Sequence, residues 1–450
     1  MLARRPLLHI YLVVLITLPG IFIALGQVHL SDPMMALITG AAIMAASFLL
    51  VWACDAAQSD VSQALALAAV ALIAVLPEYA VDMYFTWQAG KFPDSEYAHY
   101  AIANMTGANR MIVGLAWVLI AVIYWFKTRR SVVLEEQRRL EVRFLALATL
   151  YAFIIPIKGS LAWYDGVVLI GIYIWYMILA GQRPPEHCVC DGPGAYIASL
   201  AKKKRRIVTV LMFLFAAGAI VANAERFCEG LIGTGKFFGI NEFYLVQWLA
   251  PIASEAPEFV VAIMFALRGK AGMALGSLLS AKLNQWTLLV GMIPGVFAVS
   301  AGTLAFPIPM GHFQMQEILM TAAQSLLAVI MLAALRLTVG QAFLLFILFT
   351  SQLVAPGMIE KYWGGEFMGM HGEQIHSLFS ILYLMSALVM AIDQPLRLRG
   401  LWPWSNAGQD NCVEKSCIVC GTPVDNLLTD SENDNSNSVD KSENLKKTDK

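Results

Sequence analysis

Long apolar runs separated by short polar ones fill the chain from about residue 8 to residue 392. Each approaches the roughly 20 residues that a helix needs to cross a hydrocarbon core. The pattern predicts spans at roughly 8–28, 34–54, 61–87, 97–126, 142–157, 163–181, 207–225, 239–267, 271–300, 316–337, 340–356 and 375–392. That makes about twelve transmembrane helices. Two are irregular: the run at 142–157 is short, and the run at 239–267 is interrupted by Pro251, Pro257 and two glutamates. The first run follows Arg4 and Arg5 like the core of a signal peptide. It is too long for that and lacks a small-residue cleavage site, so it reads as a retained span. The expected fold class is an all-α polytopic membrane protein.

Composition agrees: 58% of the 450 residues are hydrophobic and 14% are charged, which excludes an ordinary soluble domain. The net charge of -1 says little, whereas the placement of charge says more. Lys127, Arg129, Arg130, Arg138 and Arg139 lie in the loop at 127–141, and Arg183 and Lys202 to Arg206 in the loop at 182–206. Arg268 and Lys270 fall in a later turn, and Arg397 and Arg399 begin the tail. The loop at 357–374 carries Glu360, Glu366 and Glu373 against Lys361. By the positive-inside rule the basic loops and both termini are cytoplasmic, in a bacterial-type inner or plasma membrane. From about Trp402 the chain turns polar and charged, and is expected to be disordered.

Two stretches repeat. Leu76 to Trp87 reads LPEYAVDMYFTW and Ala256 to Leu267 reads APEFVVAIMFAL; Pro77, Glu78, Val81 and Phe85 match Pro257, Glu258, Val261 and Phe265. Each is followed by a span that opens with small and polar residues, ANMTGANR (Ala103 to Arg110) and GSLLSAKLNQ (Gly276 to Gln285). The predicted topology runs the two Pro-Glu spans in opposite directions. The repeats are therefore inverted, and without the first and last spans they leave five plus five, as in many secondary transporters. The chain divides into an N-terminal extra span (1–33), a first repeat (34–181), a basic loop (182–206), a second repeat (207–356), an outer loop with the last span (357–395) and the tail (396–450).

A carboxylate at the centre of a membrane helix costs roughly 2.5–3.5 kcal/mol on insertion scales and marks an ion or proton path. Pro77 should free the carbonyl of Ile73, and Pro257 that of Ala253. Freed carbonyls beside carboxylates form an oxygen cage suited to a hard cation. Glu78 and Asp82 share one helical face, as do Glu255 and Glu258. The small-polar spans add Asn104, Thr106, Asn109, Ser277, Ser280 and Asn284 as neutral oxygens, with Gly107 and Gly276 permitting close approach. Arg110 and Lys282 are cationic; turned inward, they offset two of the four acids. Arg110 pairing with Asp82, and Lys282 snorkelling to an interface, are alternative placements.

These motifs resemble the calcium/cation antiporter superfamily, which includes sodium/calcium and proton/calcium exchangers. Its repeats carry Pro-Glu after small hydroxyl residues and then a helix with a pattern like G-N-x-x-G-S-N. ANMTGAN (Ala103 to Asn109) matches that pattern well and GSLLSAK (Gly276 to Lys282) loosely. The resemblance covers about residues 34–356. The chain departs from the pattern where Ile73, Ala74 and Val75 replace the hydroxyls, and where Ser254 and Glu255 stand in the second half. The family's final Asn or Asp falls on Ile112 and Gln285 in one register, or on Asn109 and Asn284 in a slipped one. The resemblance implies a secondary active antiporter exchanging calcium for sodium or protons by alternating access, with a cation between Glu78 and Glu258. A monovalent sodium/proton exchanger is the alternative within transport. A non-transporting membrane sensor with a metal-binding tail is the alternative outside it.

The tail raises that last reading. Cys417-x-x-Cys420 has the form of a zinc knuckle, and Cys188 with Cys190 or His187 of a cytoplasmic loop could complete it. Reduced thiols and a redox role are the competing readings. No cofactor is otherwise expected, and no enzyme activity, because no nucleophile–base pair is visible. The expected partners are membrane lipid and small inorganic cations, with no nucleic acid; the oligomeric state is not legible.

Overall fold

The computed structural model describes residues 6–26, 30–57, 75–182, 192–239, 242–303, 307–363, 366–367, 370–393, 395–398 and 401. They are almost wholly helical and belong to a unit that ends at Leu401. In chain order, the first half contains α1 (Pro6–Gly26), α2 (Asp32–Ala57), α3 (Leu76–Lys91), α4 (Tyr97–Met111), α5 (Trp117–Thr128), β1 (Val132–Val133), α6 (Arg139–Ala152), α7 (Ile154–Lys158) and α8 (Trp163–Gly181). After α9 (Gly192–Ala198) the second half contains α10 (Lys202–Phe238), α11 (Glu242–Leu267), α12 (Ala271–Asn284), α13 (Val290–Ser300), α14 (His312–Leu332), β2 (Arg336–Leu337) and α15 (Val339–Trp363). The small strands β3 (Glu366–Phe367) and β4 (Met370–His371) precede α16 (Gly372–Asp393) and α17 (Pro395–Leu398).

Among the described residues nine helical stretches are long and apolar enough to cross a membrane, or ten if bent α11 is one span. Val339–Ala355 is a shorter apolar helix, and the expected span at 61–87 is described only from Val75 onward. Outward-facing side chains are apolar, as on α1 (Leu8, Tyr11, Leu15, Phe22) and α16 (Ile381, Met385, Val389), which suits lipid contact.

Local chemistry explains the departures from the expected spans. Pro156 cannot donate to the carbonyl of Ala152, and the helix breaks at Phe153 between α6 and α7. No proline follows the expected end at 225, so α10 continues through Glu225, Arg226 and Glu229 until Gly239 closes it at φ 64°. At 37 residues it is about 55 Å long, well beyond the hydrocarbon thickness. Pro77 sits in the first turn of α3, where its missing donor is harmless; Ile73 lies outside the described residues. Pro257 instead marks a bend: the pieces Glu242–Ala256 and Glu258–Leu267 meet at 60°.

The inverted repeat is visible in the backbone. Each small-polar helix runs into a single π-helical turn, Ile112–Ala116 after α4 and Gln285–Leu289 after α12, and then continues as α5 or α13. Acidic α3 packs on α13 of the other half, and acidic α11 packs on α4 and α5. Likewise α8 lies against the second π turn and α15 against the first. The π turns align Ile112 with Gln285, the first of the two registers considered above.

β1 pairs with β2, and Lys127 Nζ donates to the carbonyl of Leu267 at 2.5 Å. These contacts bring the loop after α5, the turn after α11 and the turn after α14 to one face. Leu161 pairs with Ile308 on the opposite face.

Candidate functional site

The two acidic helices meet at Gln285, the first residue of the second π turn. Its Nε2 donates to Glu78 of α3 and, at 2.8 Å, to Oε1 of Glu255 of α11. π turns inside helices frequently mark functional sites because they re-aim side chains at one point. Glu78, Glu255 and Gln285 are all buried. The remaining oxygens, Glu78 Oε1, Glu255 Oε2 and Gln285 Oε1, have no hydrogen-bond partner among the described residues. Buried polar atoms are nearly always paired, so three unpaired oxygens at one amide mark the candidate site. Glu258, one turn after Glu255 and past the bend, adds a buried, unpartnered Oε2. The carboxylate that Gln285 bridges to Glu78 is Glu255, whereas the Pro-Glu alignment pairs Glu78 with Glu258. Among the described residues no three His, Cys, Asp or Glu side chains converge as ligands of one ion.

Asp82, one turn beyond Glu78, is buried; its Oδ1 accepts from Asn104 Nδ2 at 3.3 Å while Oδ2 has no partner. Asn104 keeps its own Oδ1 unpartnered. These two extend the polar centre along α3 and α4.

Other expected ligands are committed elsewhere. Asn284 accepts from Tyr79 OH at 2.8 Å and donates to Tyr173 OH at 3.1 Å, a buried bridge between halves. Asn109 Oδ1 accepts from Lys282 Nζ at 2.8 Å, and its Nδ2 donates to the carbonyl of Met105. Ser277 is exposed. Ser280 faces the start of α6, where Nη1 of Arg138, the residue before that helix, approaches its Oγ at 3.4 Å and also bonds Glu141. Thr106 bonds back to the carbonyl of Ile102 and contacts Glu317. The reason is common to all: successive residues of a helix point about 100° apart, so a small-polar run cannot turn every oxygen to one centre.

The two cations separate. Lys282 is fully buried, bonds the carbonyl and side chain of Asn109, and lies over the Trp286 ring at 4.6 Å. It does not snorkel. Arg110 pairs with neither Asp82 nor the other three acids; it forms a buried ion pair with Glu317 of α14. Glu317 also accepts from Gln247 of α11 at 2.5 Å and lies beside His376 of α16. Glu317, Gln247 and His376 were not anticipated. Gln314, Glu317, Thr321 and Gln324 form a polar stripe at helical spacing in an apolar span, which was the available signal. Cys417, Cys420, Cys188 and Cys190 lie outside the described residues.

Comparison with known proteins places this architecture. A solved H+/Ca2+ exchanger CAX is 38% identical, with TM-score 0.82, covering 88% of this chain and 97% of the other. The structure of native YfkE shares the fold at TM-score 0.55 and 14% identity, covering 76% of this chain and 98% of the other. An uncharacterised membrane protein of Methanocaldococcus jannaschii is 23% identical over 49% of this chain and 68% of its own length. The family model described as sodium/calcium exchanger protein matches residues 32–181 and 208–356, one match in each half. The chain is an integral membrane protein and belongs to the sodium/calcium exchanger family of cation antiporters.

Proposed function

We propose that the protein is a calcium/proton antiporter in which Glu78 and Glu255, with Gln285 between them, bind the transported ion. The observation that carries this reading is the set of unpartnered buried oxygens around the amide of Gln285. Calcium takes six to eight oxygens, and carboxylate, amide and freed backbone oxygens all qualify. Glu258, Asp82 and Asn104 line the approach to that centre. Two carboxylates can release one divalent ion and take up two protons at constant charge, which gives exchange a simple coupling. Gln285 supports the ion-free state, because its two N–H groups can bond both carboxylates while they wait.

Lys282 favours protons over sodium as the counter-ion. Its ammonium already occupies the Asn109 side of the polar centre. A fixed positive charge there disfavours companion monovalent cations. The likeness to a structure described as an H+/Ca2+ exchanger supports the same reading. Alternating access follows from the inverted halves, with residues 34–181 and 207–356 as the two repeats and the basic loops on the cytoplasmic side.

Purified protein in vesicles loaded with a calcium indicator tests the assignment. A pH gradient should drive calcium flux, and reversing the gradient should reverse it. A sodium gradient at uniform pH should drive little. Sodium-driven calcium flux would overturn the proton assignment, sodium/proton exchange without calcium movement would favour the monovalent reading, and no flux under any gradient would leave the sensor.

A further inference from the structure

The buried cluster around Glu317 is not used by the exchange outlined above. It joins four helices. Glu317 of α14 receives Arg110 of α4 and Gln247 Nε2 of α11 on one oxygen, and has His376 of α16 beside the other. All four are nearly or fully excluded from solvent. Arg110 and Glu317 cancel in charge, so His376 decides the net charge of the group. Its Nδ1 sits 2.6 Å from Oε1, off the line of a hydrogen bond, and neither ring nitrogen has a hydrogen-bond partner among the described residues. In the neutral ring the single proton can sit on Nδ1, beside the carboxylate. A second proton, on Nε2, makes the ring cationic and turns that approach into a charge-assisted contact.

The neighbours of His376 leave Glu317 as the group that responds. From α14, Glu317 and the Phe313 ring face it, the ring centroids 4.9 Å apart. Arg110 and Gln247 reach it through Glu317, and Tyr383 of its own helix is within electrostatic range of Arg110. The described side chains of α15, which packs on α16, carry no charge.

The cluster grips α11. Gln247 precedes Glu255 by about two helical turns. Trp248 stacks on the Arg110 guanidinium at 5.1 Å, and the backbone of Gln247 rests directly on Gly107. We propose that His376 is a second proton-binding site, separate from the carboxylate centre, whose protonation pins Glu317 to Gln247. The pinned state holds the Glu242–Ala256 piece of α11 against α4 and α14. Loss of the proton loosens that piece, and through it the position of Glu255. A proton arriving from the face opposite the basic loops would then bias the helix that carries an ion ligand.

Two measurements on the full chain in lipid nanodiscs test this without transport, so the result is independent of the proposed exchange. The first is an NMR titration of the imidazole signals. There are seven histidines, few enough for His376→Gln to identify the signal by its loss. A His376 signal that titrates between about pH 5 and 9 supports the site, and one that does not move overturns it. The second is the alkylation rate of Val246→Cys in a cysteine-free background. Val246 is buried beside Gln247. Its labelling should rise several-fold as the pH rises through the His376 titration, and should lose that dependence in His376→Gln. The same pH profile with and without His376→Gln overturns the proposal. Glu317→Gln should also flatten the profile; if that variant does not fold, His376→Gln alone decides.

Discussion

Lys282 Nζ donates to Asn109 Oδ1 at 2.8 Å, and each residue stands three positions before the π turn of its own half. Equivalent positions of the two inverted repeats therefore bond to each other across the pseudo-two-fold axis. The pair is asymmetric in chemistry: an amide on one side and an ammonium on the other. That asymmetry sets an amine, rather than a second amide, on the Asn109 side of the polar centre.

Lys282→Asn should change ion handling rather than folding. The centre becomes one charge more negative, while an amide can still bond Asn109. Vesicle flux should show a displaced pH optimum and a new sensitivity to sodium or potassium. Flux and pH profile identical to the parent would show that the ammonium has no part in selectivity.

Glu255→Gln should weaken calcium binding more than Glu258→Gln does, because only Glu255 shares the Gln285 amide with Glu78. Loss of a charged ligand should exceed the roughly 10–100-fold that loss of an outer partner costs a metal site. Glu78→Gln should behave like Glu255→Gln. Calorimetric titration of purified protein measures all three; a larger loss for Glu258→Gln would move the centre past the bend.

Gly107→Ala should destabilise the fold. A Cβ there would lie 1.9 Å from the carbonyl oxygen of Gln247, which is backbone and cannot swing away. Overpacking of this kind costs about 1–3 kcal/mol. Gly218→Ala is the control, since its Cβ would meet nothing within 4 Å. Thermal unfolding in detergent should fall for the first and hold or rise for the second; equal melting would show that α4 and α11 separate easily.

Ser131→Cys and His312→Cys should label from opposite sides of the membrane. The first lies beside the β1–β2 pair and the second begins α14 at the other face. With the basic loops in the cytoplasm, an impermeant thiol reagent added outside should reach only the second, in a cysteine-free background. Labelling of residue 131 from outside would invert the topology and remove the orientation argument.

The Arg110–Glu317 pair is worth most as an intact unit. Breaking a buried ion pair from one side costs roughly 3–5 kcal/mol, because the other charge stays behind. Arg110→Met should therefore unfold more readily than Arg110→Met combined with Glu317→Met. Thermal melting of the two variants checks this, and equal loss would show that the pair does not act as a unit.

The sequence by itself determined the helical membrane class and the inverted halves, and it singled out Glu78 and Glu258 as the candidate pair. Those follow from periodicities and repeated residues within single segments, where helix geometry fixes which side chains share a face. The order of small and polar residues before Ile112 and Gln285 likewise carried the repeat, although only the structure revealed the π turns that set its register. Tertiary packing alone decided the partners. Arg110 stands four residues from Thr106 and twenty-eight from Asp82, yet its partner is Glu317, 207 positions away. Nothing local to Arg110 favours one acid over another; the choice depends on which helices pack against α4 and at what depth. The same holds for Gln285, which joins Glu78 and Glu255 only because α3 and α11 both close on one π turn. A charge excluded from water must find its opposite within a few ångströms, and which opposite lies that near is set by the packing of the whole bundle.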